Sequence, residues 1–226
     1  MSDTPHAHLD PLLHVDQADT PDREADARAW AGKAVRDLGH ALVGHHADVE
    51  LIDRVSTTLD QLTAELQHGE RRSRHRPTVY DNAEAPADGD ELTSYDERPV
   101  SGRSSPWGLD IRVHREGDEI VARCTLRSAH EGAPGRSHGG IVAALFDDVY
   151  GFVLSLVRES AFTGELSVRY EAGVPVGVPI ECRVRLDHRD GRKLYMTGEV
   201  LHEGKVLVRS KATFITIPRE VMLAGG

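Results

Sequence analysis

At 226 residues, 39% of them hydrophobic and 28% charged, the chain can bury one substantial core and is long enough for one or two domains. Its formal charge of -10 is unevenly held: residues 1–105 carry 11 Lys/Arg against 21 Asp/Glu, and residues 106–226 carry 16 against 16. An acidic N-terminal part is a poor arm for a polyanion, which excludes nucleic acid as a partner.

The two cysteines, Cys124 and Cys182, form no CxxC pair, and no apolar leader precedes them. That predicts reduced structural thiols and a cytoplasmic protein. His40, His45 and His46 do not form a helical metal pair with a carboxylate beside it, so no metal site is expected.

Residues 1–20 are polar and punctuated by proline, and read as a disordered tail. Residues 21–69 read as an N-terminal helical extension. Its first helix opens at Pro21 or Asp22 and runs to about Leu42. Its second carries Val49, Ile52, Val55, Leu59, Leu62 and Leu66 in steps of three or four, with Gly69 placed to end it. These helices must cover each other, a partner subunit or the downstream sheet. Residues 70–106 open on the basic run Arg71, Arg72, Arg74 and Arg76 and then lose all period. They form an irregular linker or strap. Val79, Tyr80, Tyr95, Val100 and Trp107 favour a strap partly packed near a binding site.

From residue 107 to 217 the pattern is β on both sides of one helix, with 218–226 left as a C-terminal tail. Leu109, Ile111 and Val113 alternate with polar residues, and Glu116-Gly117-Asp118 turns the chain into EIVARCTLR. After the helix come TGELSVRYEA, IECRVRLDHR, KLYMTGEVLH and KVLVRSKATFITI, with Asp190-Gly191 and Glu203-Gly204 as hairpin turns. No second crossover helix interrupts them. The order predicts an α+β fold in which an antiparallel meander wraps one long central helix.

That helix follows Ser137-His138-Gly139-Gly140 and is apolar almost all round from Ile141 to Val157. Such a helix belongs in a core rather than across a membrane. Within it, Asp147 and Asp148 need partners, because an ionised carboxylate among apolar neighbours must be paired, hydrogen-bonded or protonated. They sit about 100° apart, so only one can face a cleft. The other is accounted for by a helix edge or a salt bridge. At the helix start, the Gly139 and Gly140 amides are free to point N–H groups and the positive dipole end at a substrate carbonyl.

Gly135-Arg136-Ser137-His138-Gly139 also matches G-x-S-x-G, the nucleophile elbow of serine hydrolases. That alternative requires parallel strands with crossover helices, and Asp187 with His188 or His202 as partners of Ser137. The competing constellation is HGGIVAALFD, an Asp nine residues after the His of a His-Gly-Gly turn. With its strand, helix and meander order, this stretch resembles the PaaI-type and THEM4-like branch of the hotdog-fold acyl-CoA thioesterases, over about residues 98 to 217.

The resemblance implies a hotdog domain that hydrolyses an acyl-CoA to free acid and coenzyme A, within fatty acid metabolism, without metal or organic cofactor. It implies that the Gly139 amide polarises the thioester carbonyl, that Gly140 allows close approach and that His138 orients the turn or the thioester. Asp147 becomes the nucleophile or the general base for water, and Thr163 helps hold that water. It also implies a homodimer or dimer of dimers whose site takes the turn and the Asp from opposite subunits. Arg192 and Lys193 match positions that contact the nucleotide end of coenzyme A.

In the strand after Thr163, residues Glu165, Ser167, Arg169 and Glu171 share one face and Leu166, Val168 and Tyr170 the other. Arg169 is either a phosphate contact or part of a solvated face. Two other function classes stay open: a non-catalytic acyl-CoA-binding regulatory module, and an assembly role for the N-terminal helices.

Overall fold

A computed structural model describes residues 8–9, 23–72 and 85–217. The tail at 218–226 and Arg74, Arg76, Val79 and Tyr80 lie outside these residues, as does most of the tail at 1–20. Of that tail, His8–Leu9 (β1) is described as a short strand.

The remaining elements in chain order are α1 (Arg23–Gly44), α2 (Val49–Gln67), β2 (Glu91–Thr93), β3 (Arg112–Glu116), β4 (Glu119–Thr125), β5 (Glu131–Ala133) and β6 (Arg136–Ser137). Then follow α3 (Gly139–Val157), β7 (Ala161–Tyr170), β8 (Pro179–Asp190), β9 (Lys193–His202) and β10 (Lys205–Thr216). One sheet runs β1-β2-β3-β4-β8-β9-β10-β7, antiparallel except where β1 meets β2. A separate ribbon joins β5 to β6.

The sheet curls around α3, the hotdog arrangement. Val142, Leu145, Phe146, Val149, Tyr150, Phe152 and Val153 of α3 are almost wholly buried against Val184, Met196, Val200 and Phe214 of the strands. Each such side chain contributes about 1.5–3 kcal/mol of burial free energy, which makes this contact the main source of the fold's stability. The helix is long and apolar enough to cross a membrane, yet 61% of its most apolar window is buried inside the protein. It ends where Arg158 takes a left-handed conformation at the C-cap.

The strand order departs from a simple meander. β7 does not pair with its successor β8 but closes the far side of the sheet against β10. The other edge of β7 is unpaired among the described residues, so a ten-residue strand forms one margin of the sheet. The register with β10 slips at Gly164: Glu165 faces Thr213 and Thr163 faces Phe214. A bulge reverses side-chain parity. Thr163 therefore points to the same side as Leu166, Val168 and Tyr170.

Residues 85–106 are packed rather than free. β2 extends the sheet, and Arg98, Val100 and Ser105 are buried, although Trp107 is 66% exposed. The polar stripe Gly32, Arg36, His40 and Gly44 docks α1 onto this segment and onto residues 127–130. The Arg36 guanidinium donates to the carbonyls of Ser105 and Arg103 and to Asp110 at 2.6 Å. His40 accepts from the Ala129 amide and meets the His130 ring edge-on at 4.5 Å. A Cβ at Gly32 would strike the Ser104 backbone, so only glycine allows this approach. Cys124 and Cys182 lie on adjacent strands as free, buried thiols, and burial pushes Cys124 up to about 12.

Candidate active site

The start of α3 is built by its flanks. The ribbon turns at Pro134-Gly135, where Gly135 takes φ 71°. Ser137 then donates its amide to Val174 O, and His138 donates to His130 O, both at 2.8 Å. His138 is the N-cap, with extended φ and ψ, and its Nδ1 accepts the Gly140 amide at 3.0 Å. That bond places the ring proton on Nε2.

The Gly140 N–H is therefore already used, which corrects the expectation of two free amides. The cap captures one of the orphan donors that every helix start leaves. The Gly139 N–H has no acceptor among the described residues. It remains the donor available to a carbonyl, at the positive end of the helix dipole. The Tyr170 hydroxyl donates to Gly139 O at 2.6 Å, and any Cβ on Gly139 would press on that phenol.

The two adjacent acids separate as their 100° offset requires. Asp147 is exposed, and Thr163 donates its hydroxyl to Asp147 Oδ1 at 2.7 Å. Thr163 thus grips the carboxylate itself, where the expectation had it holding water. Asp148 turns inward and is 7% exposed, paired with an equally buried Arg98. Arg98 Nε donates to Asp148 Oδ1 at 2.7 Å and its Nη2 to the Asp148 carbonyl at 2.6 Å. Burial raises the Asp148 carboxyl above its ordinary range, and Arg98 opposes that rise. The guanidinium also lies 4.7 Å from the Phe152 ring centre. It fits because residue 151 is glycine, where a Cβ would collide with it.

Five of the expected residues, His138, Gly139, Gly140, Asp147 and Thr163, thus line α3 and the strand beside it. The other three do not join them within the protomer. Arg169 lies on the outer sheet face in a charged groove with Arg183, Arg185, Arg209 and Glu199, across the sheet from α3. Arg192 spends its Nε and Nη2 on the Thr216 carbonyl, at 3.0 and 2.9 Å, tying a hairpin to β10. Lys193 is exposed at the start of β9, in register with Ile215 and, beyond it, Phe162.

Ser137 is not a nucleophile elbow. It ends a two-residue strand of an antiparallel ribbon, and its hydroxyl bonds to the adjacent His138 carbonyl at 3.3 Å. Asp187 and His188 pair with each other on β8, with His188 stacked on Tyr195. Among the described residues, no three His, Cys, Asp or Glu side chains gather where they could hold a metal ion.

Arg98 and Tyr170 carry no motif, and pattern reading missed both as site residues. The one available signal for Arg98 was Gly151, a glycine inside a strongly apolar helix, which marks a close approach.

Residues 135–209 match the family model of the thioesterase superfamily. Among curated proteins, the chain is 34% identical over 83 residues to the mouse acyl-coenzyme A thioesterase THEM5, covering 37% of this chain and 34% of that protein. It is 32% identical over 92 residues to human THEM5, covering 40% and 37%. The chain thus spans little more than a third of the length of these relatives. Among solved structures, the crystal structure of a thioesterase superfamily protein aligns with 83% of this chain and 94% of its own, at TM-score 0.70 and 23% identity, a likeness of fold. Residues 135–209 are thus similar to the thioesterase superfamily, and the sheet with the helix it encloses has the hotdog fold.

Proposed function

We propose that the chain is an acyl-CoA thioesterase, hydrolysing an acyl-CoA to free acid and coenzyme A, with the chemistry in the domain at 107–217. The carrying observation is that Asp147, held by Thr163 of β7, stands on the same helix whose first amide, that of Gly139, has no acceptor among the described residues. In the reaction the Gly139 N–H, helped by the His138 Nε2 proton, stabilises negative charge as it builds on the thioester oxygen. One such donor is worth roughly 3 kcal/mol. The Thr163 bond occupies Asp147 Oδ1 and leaves Oδ2 to take a proton from water. Water oxygen bonds to the carbonyl carbon, the carbon–sulfur bond breaks, and the sulfur leaves with the proton as the free thiol of coenzyme A.

Eight residues separate Gly139 from Asp147, about 12 Å of helix rise, whereas both must lie near one carbonyl. The site is therefore assembled from two protomers, the amide from one and the acid from its partner. The uncovered margin of β7 supports this, since a long open strand edge is a template for a second chain. The buried free thiols of Cys124 and Cys182 support a reducing, cytoplasmic setting.

The test is thiol release across acyl-CoA chain lengths. Asp147→Asn should lose at least about 10²-fold in turnover, as expected when an activating base is removed. Turnover within threefold of the parent overturns the reading.

A further inference from the structure

The His138 ring is exposed, and among the described residues its one hydrogen-bond partner is the Gly140 amide, at 3.0 Å. A ring held by a single bond turns easily. The direction of its Nε2 proton therefore depends on how firmly the Gly139–Gly140 peptide is fixed. That peptide is gripped at its other end: the Tyr170 hydroxyl reaches from β7 to α3 and donates to Gly139 O at 2.6 Å.

The setting of this bond marks it as more than packing. A carbonyl in the first turn of a helix already receives the N–H four residues on, so α3 does not need a second donor there. Tyr170 is 48% exposed, and water could serve its hydroxyl at no cost to the fold. Yet the base of the side chain is pinned. Tyr170 stands opposite the buried Val208 of β10, and the Glu171 and Ala172 amides that follow both donate to Leu207 O at 2.9 Å. Partial burial raises the phenol above its ordinary range, which keeps its proton in place as a donor. A hydrogen bond to a peptide oxygen also polarises the N–H of that peptide, so the bonds of such a chain strengthen one another.

We propose that Tyr170 is a positioning residue that, through the Gly139–Gly140 peptide, fixes the His138 ring with its Nε2 proton toward the thioester oxygen. The chain of bonds runs from the phenol O–H to Gly139 O, and from Gly140 N–H to His138 Nδ1. The proposal rests on the thioesterase reading for its chemistry, and Tyr170 itself touches no reacting atom.

The test compares Tyr170→Phe, which keeps the ring and loses the proton, with Tyr170→Leu, which loses both. Tyr170→Phe should lower kcat by about three- to tenfold, the effect of one hydrogen bond, with KM within about twofold of the parent. Tyr170→Leu should lose no more than about a further twofold. In the ligand-free protein, the Gly140 amide proton resonance should move upfield in Tyr170→Phe as the bond to His138 weakens. Full turnover in Tyr170→Phe, a loss carried by KM alone, or a loss confined to Tyr170→Leu would reduce Tyr170 to packing and overturn the proposal. So would an unmoved Gly140 resonance. That resonance is read without substrate, so the two readings fail separately. If Asp147→Asn keeps its turnover while the resonance moves, the thioesterase reading falls and the hold of Tyr170 on the peptide stands.

Discussion

Thr163 donates its hydroxyl proton to Asp147 across 2.7 Å, and it reaches that acid only because the chain bulges at Gly164. Without the slip, Thr163 would share the outer face with Glu165 and Arg169 and the carboxylate would be held by nothing. Thr163→Ser should keep most of the turnover, since the donor survives. Thr163→Val should lower kcat by roughly tenfold or more with KM little changed, because in the proposed reaction the lost bond orients an acid that acts in the transition state. Steady-state kinetics on both variants, with circular dichroism to confirm folding, checks this.

Gly139 can be stripped of its amide alone. It occupies the first helical position, where proline is well tolerated, and His138 already has the φ of -63° and ψ of 134° that suit a residue before proline. Gly139→Pro, with a small displacement of Tyr170, should leave the fold intact and cut kcat/KM by about 10²–10³-fold through loss of one oxyanion donor. A variant as fast as the parent would remove the Gly139 amide from the mechanism.

A site shared between two protomers, as proposed, would give a mixing signature. Gly139→Pro and Asp147→Asn chains, each inactive alone, should recover activity when unfolded together and refolded. Equal mixing should restore roughly a quarter of parental turnover, since half the dimers are mixed and each keeps one intact site. No recovery would mean that each protomer builds its site alone.

The buried pair between Arg98 and Asp148 serves stability first. Arg98→Met leaves the Asp148 carboxylate buried among apolar neighbours and should cost about 3–5 kcal/mol. Replacing both residues by apolar ones should recover most of that loss. Urea unfolding of the two variants distinguishes this from a simple packing defect, in which the double variant would be the less stable.

Burial holds the His130 imidazole at about 4, down from 6.5. As pH falls below the higher value, the unfolded chain binds a proton that the folded chain refuses. Stability drops by up to about 1.4 kcal/mol per pH unit until the folded ring also protonates. His40, likewise lowered by burial, acts in the same direction. The melting temperature of the parent should therefore fall more steeply between pH 6.5 and 4 than that of His130→Asn, whose side-chain oxygen still accepts the Arg127 amide. Parallel melting curves would show that this ring is not the sensor.

The central helix and its hairpins were legible because their signals are local: an unbroken apolar run, alternation, and glycine turns at Gly191 and Gly204 with positive φ. Asp147, the acid nine residues after His138 that the spacing selects, is the exposed one of the pair, and Asp148 is the buried one. Other features depend on residues far apart in sequence. Arg98 meets Asp148 fifty residues on, and Tyr170 meets Gly139 thirty-one residues back. The α1 contact escaped notice because its stripe is glycine, arginine and histidine, so a search for apolar periodicity looks at the wrong side of that helix. The return of β7 to β10 is a crossing that no turn signal announces.

The strand that braces both ends of the site, through Thr163 and Tyr170, is also the strand whose outer margin lies open. Whatever joins that margin leans directly on the groups of the proposed site. On the proposed two-protomer site, diluting the chain below the concentration at which two copies associate should therefore abolish thiol release before any part of the chain unfolds, and adding back more of the same chain should restore it.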